Sequence, residues 1–395
     1  MGKKIGLLPK LAIGIAAGIV LGFWVPTSVM AILHTVKTIL GSIIFFIVPL
    51  VIFGFIAPAI CNPKNNAGKM LGTFLGLSYM SAVGASLFSA LAGYMLIPFL
   101  HVPSMVSELT AIPETAFHLD IPPLMPVMTA LVMAILVGIS VLWTKAETIE
   151  KVLNEFQKMV LEIVNRVVVP ILPFFIATTF SELAYSGSLT KQLPVFLKVI
   201  VIVLVGHFIW LTLLYLIGGA VSKKNPLNVV KHYGPAYTTA VGTMSSAATL
   251  PVALRCAHQS DILPPEVVDF AIPLGATTHL CGSVLTETFF CMVISQMLYG
   301  TIPSFSTMLL FSLLFGVFAV GAPGVPGGTV MASLGLVVSV LNFDATGTGL
   351  LIAIFALQDS FGTACNVTGD GALALILRGI FYKPDGSLKK PDIAA

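Results

Sequence analysis

Charged residues are scarce in this sequence. Of its 395 residues only 9% are Asp, Glu, Lys or Arg, whereas 57% are hydrophobic. Because a soluble globular domain carries about 25% charged residues, this chain could not cover an ordinary water-facing surface. The formal net charge of +3 is too small to indicate nucleic-acid binding. The composition therefore predicts an integral membrane protein without a nucleic-acid partner.

Cysteine is also sparse, and its spacing is uninformative. No Cys-x-x-Cys pair occurs among the five cysteines, which lie at Cys61, Cys256, Cys281, Cys291 and Cys365. The pattern therefore indicates neither a disulfide framework nor a zinc site. A small-residue cleavage site is likewise missing after the basic pair Lys3 and Lys4, so we predict a retained helix from Leu11 rather than a signal peptide.

Long apolar runs dominate what remains, and they do not alternate as the strands of a membrane barrel would. A spanning helix needs about 20 mostly apolar residues. The clear candidates are Leu11–Val25, Ile39–Ile60, Met70–Leu100, Pro126–Trp143, Met159–Leu183 and Pro194–Val221. The later apolar runs are interrupted at Gly242–Pro251, Gly275–Ser283 and Gly321–Gly328. Such interruptions are typical of broken or re-entrant helices.

Lysine and arginine are unevenly distributed between the predicted spans. The stretches His101–Pro126 and Cys256–Leu377 contain neither residue, whereas every second connection and both ends of the chain are basic. Because short cytoplasmic loops collect positive charge, both termini are predicted to be cytoplasmic.

The predicted fold is an all-α multi-pass membrane protein with eight transmembrane helices and two re-entrant helical hairpins. Residues 145–166 are predicted to form an amphipathic lead-in to the fifth span at the cytoplasmic interface.

Three acidic residues, Glu287, Asp359 and Asp370, stand within the apolar segments of the second half of the chain. A charge at membrane depth costs at least about 2.5–3.5 kcal/mol, so it needs a reason. Helical spacing places Asp359, Thr363, Asn366 and Asp370 on one narrow face of the last predicted span, residues 356–379. A polar seam between helices is the alternative interpretation, but Thr and Asn alone would suffice for it. The two carboxylates favour a ligand or cation site.

Two helix-breaking segments stand near these acids in the sequence. Small hydroxyl residues run into a proline over 243–251, which is typical of a re-entrant tip whose free backbone N–H groups can bind a carboxylate. Glycines and prolines alternate over 321–328, where backbone can approach a ligand closely. Each segment alone could be an ordinary loop. Together, flanking buried acids, they indicate a transport site.

Four motifs in this order resemble the glutamate transporter family, the dicarboxylate/amino acid:cation symporters. They are Ser245-Ser246-x-x-Thr249-Leu250-Pro251, Pro273-Leu274-Gly275-Ala276-Thr277, Gly324-Val325-Pro326-Gly327 and Asn366-Val367-Thr368-Gly369-Asp370. The resemblance implies a homotrimer in which a transport domain carries substrate past a scaffold by an elevator motion. It divides the chain into scaffold helices (1–69 and 126–191), transport-domain segments (70–125 and 192–382) and a cytoplasmic tail (383–395).

The resemblance also implies roles for individual residues. Ser246 would hold the substrate carboxylate, with Ser245 beside it, and Asp359 would bind the substrate ammonium. The remaining substrate residues implied are Ser283, Thr363 and Asn366, with Gly324 and Val325 on the hairpin that closes as a gate. A sodium ion would be bound by Asp370, with Asn366 and the carbonyl groups of Gly275 and Thr277. No tightly bound cofactor is implied, and the coupling ion would be Na⁺, H⁺ or both.

Gly362 departs from the family pattern. Members that carry acidic substrates have Arg at this position, where it pairs with the side-chain carboxylate of the substrate. Loss of the guanidinium removes both the charge and the geometry that favour an acidic side chain. Since Asp359 is retained, we predict a neutral amino acid as substrate. A substrate other than an amino acid is the alternative.

The segment interrupted at Gly275–Ser283, which is the seventh span of the predicted fold, departs as well. The family's usual Asn-Met-Asp-Gly-Thr is replaced by His279-Leu280-Cys281-Gly282-Ser283. Sodium prefers hard oxygen ligands, so at least one sodium site is predicted to be lost or remade. His279 and Cys281 could instead bind a soft metal, but packing roles are the simpler interpretation.

Glu287 lies where proton-coupled members of the family carry a glutamate. A Glu buried in a helix bundle can take up a proton near neutral pH, and His279 can titrate in the same range. A neutral, hydrogen-bonded structural Glu287 is the alternative.

The sequence thus predicts a secondary transporter of the cell (inner) membrane for a small, neutral amino acid, with reduced sodium coupling and proton coupling through Glu287. A sodium-coupled carrier of dicarboxylates or acidic amino acids is the rival within the class. A channel is a second rival. An enzyme that uses His279, Cys281 and Ser283 is disfavoured because no oriented Ser-His-Asp arrangement is visible.

Overall fold

The computed structural model describes residues 7–61, 68–100, 112–117, 119, 121–383 and 387–388. Helices account for nearly all of this part of the chain, and its β structure is limited to an isolated bridge between Tyr382 and Leu388. The helices are α1 (Leu7–Trp24), α2 (Thr27–Cys61), α3 (Gly68–Leu96), α4 (Val127–Thr144), α5 (Glu147–Ile163), α6 (Val169–Tyr185), α7 (Ser188–Ser222), α8 (Leu227–Val230), α9 (Gly234–Thr243), α10 (Ser246–His258), α11 (Pro265–Thr278), α12 (Cys281–Tyr299), α13 (Phe305–Gly321), α14 (Gly328–Leu341) and α15 (Ala345–Phe381).

Six helical segments are long and apolar enough to cross a membrane. They are Thr27–Pro58, Lys69–Leu100, Glu147–Tyr185, Val195–Ser222, Pro265–Tyr299 and Ala345–Phe381. Shorter apolar helices occupy Pro9–Trp24, Val132–Thr144, Phe305–Gly321 and Gly328–Leu341. Each of the six spans predicted from hydropathy therefore falls on a helix of the structure, and the chain is a membrane protein. Predictions for Lys3, Lys4, residues 62–67 and 101–111 and most of the tail lie outside the described residues.

The amphipathic lead-in to the fifth span is part of that span's helix. A π-helical turn at Val164–Val168 joins α5 to α6 without a break. Leu153 and Val160 on α5 are buried against the protein, whereas Val152 and Met159 are more than half exposed on the other apolar edge. The exposed edge is compatible with a helix that enters the membrane interface.

All three predicted interruptions are present, and they are shorter than the sequence suggested. The first helix pair breaks at Met244, whose positive φ of 54° ends α9, and α10 resumes after Ser245. Pro251 lies inside α10, although the predicted interruption included it. The second break is confined to residues 279–280 and the third to residues 322–327. In the first and third cases the two helices pack against each other as hairpins, α9 with α10 and α13 with α14.

α15 is the central helix of the bundle. It packs against α7, α9, α11 and α12, and almost every residue from Gly347 to Gly379 is buried. A helix surrounded in this way needs no polar outer face, so each polar side chain on it points into the protein. This placement brings the acids of the last span next to both hairpins.

α1 packs closely against α6 through glycines one turn apart. A Cβ on Gly14, Gly18 or Gly22 would lie within 2.6 Å of a backbone carbonyl oxygen of α6. Small residues at this spacing let two membrane helices approach until their backbones touch. The contact therefore holds α1 closely against α6.

A buried ion pair, which the sequence analysis did not identify, joins α2 to α6. Glu182 lies between Lys37 Nζ and His34 Nδ1, at 2.5 Å and 2.6 Å from its two carboxylate oxygens. Lys37 also approaches α15, because a Cβ on Gly349 would lie 3.4 Å from its Cε. The side chains of Lys37 and Glu182 are only 10% and 4% exposed.

Candidate functional site

The predicted polar face of the last span lies in the middle of α15. Asp359, Thr363, Asn366 and Asp370 are each at most 4% exposed. α15 runs through this region without interruption, so the four side chains keep the helical spacing that the sequence predicted. Each of these groups is charged or polar and wholly enclosed, so it must find a partner within the protein.

Asp359 contacts the second hairpin. Its Oδ2 accepts a hydrogen bond from the backbone N–H of Gly327 at 2.7 Å, and Thr363 Oγ1 lies 3.5 Å from its Oδ1. Gly327 has a positive φ of 73° and directly precedes α14. The carboxylate therefore caps the N-terminus of α14, where the helix dipole favours negative charge.

Asn366 contacts α12 at the broken seventh span. Its Oδ1 accepts hydrogen bonds from the backbone N–H groups of Gly282 (2.7 Å) and Ser283 (3.2 Å), and its Nδ2 donates to Ser283 Oγ at 2.9 Å. The break at residues 279–280 frees these N–H groups from the helix, which leaves them available to a side chain of α15.

The tips of the two hairpins touch each other. Ser245 Oγ donates to the carbonyl oxygen of Gly324 at 2.8 Å, and Ala247 N–H donates to the same oxygen at 3.3 Å. A Cβ on Gly324 would lie 2.5 Å from the carbonyl oxygen of Ala276 and 3.5 Å from the Cβ of Ser246. Glycine is therefore required at 324 for this approach. Ser246 is buried beneath the contact.

Three helix N-termini take part in these contacts: that of α14 binds Asp359, that of α12 binds Asn366, and that of α10 binds Gly324. α10, α12 and α14 begin at Ser246, Cys281 and Gly328 respectively. N-terminal N–H groups and dipoles favour anions, whereas the carboxylate of Asp359 favours a cation. The arrangement offers complementary partners for a small molecule that carries both charges.

Asp370 has a different partner, the imidazole of His279. His279 Nδ1 lies 3.0 Å from Asp370 Oδ1, and His279 Nε2 lies 2.9 Å from Ser81 Oγ on α3. Both ring nitrogens are engaged, and the imidazole is wholly buried. Cys281 and the His279 ring both pack on Gly369, where a Cβ would lie 3.2 Å from Sγ and 2.8 Å from Cε1.

Glu287 lies deeper in the bundle and contacts the second hairpin. Ser333 Oγ on α14 donates a short hydrogen bond to its Oε1, while its Oε2 has no partner among the described residues. The side chain is fully buried. One unsatisfied carboxylate oxygen at this depth is expensive unless it carries a proton or meets a transient partner.

The remaining predicted residues are placed differently. Gly275 lies directly under Asp370, because a Cβ there would be 2.5 Å from Oδ1. The side chain of Thr277 is exposed, and its Oγ1 donates to the carbonyl oxygen of Leu274 at 2.9 Å. Gly362 packs against α12, and its Cβ would lie 3.3 Å from the backbone N of Ser283.

A cavity of about 620 Å³ opens beside the hairpin tips. Gly324, Val325 and Ala247 lie on one wall, and Leu161 and Lys158 of α5 lie on another. The cavity reaches the tips from one side, so it provides a route to the contact between Ser245 and Gly324.

Sequence reasoning missed three buried polar residues near these groups. His207 Nε2 lies 3.0 Å from the carbonyl oxygen of Gly282, Ser81 bonds to His279, and neither amide atom of Gln358 has a partner among the described residues. Gln358 directly precedes Asp359 and is fully buried. A search for uncharged polar residues within apolar runs would have found all three.

The contact between the tips gives a prediction for Gly324→Ala. The added methyl would collide with the Ala276 carbonyl group and hold the tips apart. We therefore expect the substrate uptake that the sequence motifs predict to fall about tenfold, the equivalent of an overpacking cost of roughly 1–3 kcal/mol. The measurement is initial uptake in proteoliposomes. Gly242→Ala on α9 is the matched control, because a Cβ there meets nothing within 4 Å. Equal rates for the two variants would contradict the prediction.

Comparison with known proteins adds independent findings. Residues 7–380 match the sodium:dicarboxylate symporter family. Over 181 residues, 46% of this chain and 31% of the relative, the sequence is 32% identical to human excitatory amino acid transporter 2. Over 275 residues, 68% of this chain and 50% of the relative, it is 26% identical to human neutral amino acid transporter B(0). The matches thus span half or less of these relatives' length. The family is one of symporters, as the sequence predicted, and none of these names denotes an enzyme.

Proposed function

Because the chain belongs to the sodium:dicarboxylate symporter family, we propose that it is a secondary active transporter that carries a small, neutral amino acid across the cell membrane. One observation carries the proposal. The buried carboxylate of Asp359 binds the tip of the second hairpin at the N-terminus of α14, and that tip in turn contacts the tip of the first hairpin. An amino acid offers an ammonium group to the carboxylate and its own carboxylate to the helix N-termini.

The hairpin tips support a gated site. Ser245 and Ser246 are held against Gly324, and Val325 faces the adjoining cavity. Separation of the tips would free the Ser245 hydroxyl and the Ala247 N–H, which now both donate to the carbonyl oxygen of Gly324. Thr363, Asn366 and Ser283 lie deeper on the same side of α15 and complete the proposed substrate site.

The packing of Gly362 favours a neutral substrate. α15 and α12 approach so closely there that an arginine side chain could not be added without moving Ser283. No guanidinium is therefore available at this position to pair with an acidic side chain. The observation in favour of the rival acidic carrier is the similarity to human excitatory amino acid transporter 2.

A thermal-shift screen of the purified protein tests the proposal. A ligand present at about 100 times its Kd stabilises the folded state by roughly 2.7 kcal/mol, so binding is readily detected. We expect a neutral amino acid to raise the Tm, and aspartate or succinate to have little effect. Strong stabilisation by aspartate or succinate would favour the acidic carrier, and stabilisation by none of these compounds would refute both.

We further propose reduced sodium coupling together with proton coupling through Glu287. Asn366 and Asp370, two proposed sodium ligands, already bind N–H groups of α12 and the His279 ring. Glu287 retains an oxygen without a partner among the described residues. Its link to Ser333 ties the carboxyl group to α14, so gain or loss of a proton there can affect the second hairpin.

Glu287→Gln tests this coupling. Glutamine keeps the size and a hydrogen-bond acceptor for Ser333 but cannot exchange a proton. A pH gradient that drives protons inward should therefore no longer accelerate uptake, whereas substrate binding should persist. Glu266→Gln, on the exposed first turn of α11, is the control and should retain the response. Proteoliposome uptake with and without the gradient measures both. Undiminished acceleration in Glu287→Gln would assign the proton to another group.

The larger architecture is proposed on the same basis. Eight crossings and two re-entrant hairpins accommodate the six long spans, the shorter apolar helices and the hairpins α9–α10 and α13–α14. We propose cytoplasmic termini and a homotrimer with a scaffold (1–69, 126–191) and an elevator-type transport domain (70–125, 192–382). α3 begins at Gly68 and α7 at Ser188, close to the proposed boundaries.

A further inference from the structure

We propose that the side chain of His279 fills the space beside Asp370 in which this family of symporters binds a sodium ion. The imidazole ring, which is fixed to the protein, would then take the place of a coupling ion. The inference rests on the proposed function and adds a specific cause for the reduced sodium coupling. It depends on contacts around Asp370 on three sides.

The first contact is with the carboxylate itself. His279 Nδ1 lies 3.0 Å from Asp370 Oδ1, and the two groups are 0% and 1% exposed in their side chains. This hydrogen bond uses one of the two oxygens with which the carboxylate could bind a sodium ion, whichever of the two groups carries the shared proton. The ring stands where an ion would have to stand to reach that oxygen.

The second contact closes the side towards α11. A Cβ on Gly275 would lie 2.5 Å from Asp370 Oδ1, so the carboxylate is packed directly on the glycine backbone. The carbonyl oxygen of Gly275 accepts the N–H of His279 at 2.9 Å. One proposed sodium ligand is therefore already bonded to the residue that fills the site.

The third contact anchors the far edge of the ring. Ser81 Oγ on α3 lies 2.9 Å from His279 Nε2, so both nitrogens are fixed between α3 and α15. Gly369 provides the room, since a Cβ there would lie 2.8 Å from His279 Cε1. A ring held at both ends cannot swing aside to admit an ion without breaking two buried hydrogen bonds.

The neighbouring residue fits the same interpretation. Cys281 stands where the family has a carboxylate, so the local negative charge that would attract a cation is smaller. Thiol and imidazole groups are poor sodium ligands. A soft metal is not supported either, because no group of three or more His, Cys, Asp or Glu side chains among the described residues is arranged to hold a metal ion.

Sodium binding in the absence of substrate tests the inference. The Tm of the detergent-purified protein is measured in NaCl and in choline chloride at equal ionic strength, for the unaltered chain and for Asp370→Asn. We expect either no sodium-specific rise or one that Asp370→Asn leaves intact because the ion binds elsewhere. A saturable, sodium-specific rise that Asp370→Asn abolishes would overturn the inference.

A gain of binding provides the converse test. His279→Asn combined with Cys281→Asp restores the oxygen ligands of the family motif, and we expect a saturable sodium-specific rise in Tm of about 3 °C or more. His207→Gln is the matched control, since this buried histidine bonds to Gly282 and Thr286 rather than to Asp370. A folded double variant without the gain would count against the inference, and if it does not fold, the comparison with Asp370→Asn decides. Neither readout needs a transported solute, so failure here is separable from failure of the proposed function.

Discussion

Asp359→Asn is expected to abolish amino acid uptake. The substitution keeps the size of the side chain and an acceptor for Gly327 N–H, but it removes the only charge at this point of α15 that could pair with a substrate ammonium. Loss of one partner of a buried ion pair costs about 3–5 kcal/mol, and each roughly 1.4 kcal/mol is a factor of ten. Affinity for the substrate should therefore fall by at least about 100-fold.

Two measurements separate this effect from misfolding. Uptake in proteoliposomes gives the loss, and the thermal-unfolding midpoint shows whether the variant is folded. Glu162→Gln is the matched control, because this acid is 60% exposed on α5 and its ionic partner among the described residues is Arg166, one turn away. Undiminished uptake by a folded Asp359→Asn would remove Asp359 from the site.

Glu182→Leu is expected to lower the free energy of unfolding by about 3–5 kcal/mol, because it leaves Lys37 buried without its counter-charge. Replacing both residues, as Lys37→Met with Glu182→Leu, should recover most of the loss, since two apolar side chains of similar volume bury no charge. The measurement is denaturant or thermal unfolding of the three proteins in the same detergent.

The exposed pair Glu162–Arg166 provides the control for this series as well. Its side chains are 60% and 80% exposed, so breaking it should change stability little. If the double variant is no more stable than Glu182→Leu alone, the pair contributes through packing or through His34 rather than through charge.

Much of the helical framework follows from local sequence. The length of each apolar run predicted the first six spans, since hydropathy alone decides which segments can lie in lipid. Glycine, proline and hydroxyl residues predicted the three breaks. Their exact positions depended on capping, because Ser245 accepts from Ala248 N–H and so starts α10 before Pro251 is reached.

Pairings between distant residues could not be predicted in the same way. His279 and Asp370 are 91 residues apart, and nothing local indicates that the ring reaches the carboxylate. Lys37 and Glu182 stand near the ends of apolar runs, where a single charged residue is easily taken to mark the end of a membrane span. Their partnership exists only because α2 packs on α6.

The periodicity of α15 was the most informative local signal. A spacing of four, three and four residues placed Asp359, Thr363, Asn366 and Asp370 on one face, and the structure buries all four. What the spacing could not show is that these groups have separate partners. Asp359 binds the second hairpin, Asn366 binds α12, and Asp370 binds His279.

Counterflow in proteoliposomes distinguishes a proton-coupled carrier from a pore and from a sodium-dependent carrier. Vesicles are loaded with an unlabelled neutral amino acid, and entry of the same labelled compound is followed without sodium, then with a sodium gradient or a pH gradient imposed. We expect saturable, stereoselective exchange that persists without sodium and becomes uphill accumulation when protons are driven inward. Flux that does not saturate would indicate a pore. Accumulation that requires sodium and does not respond to the pH gradient would contradict proton coupling.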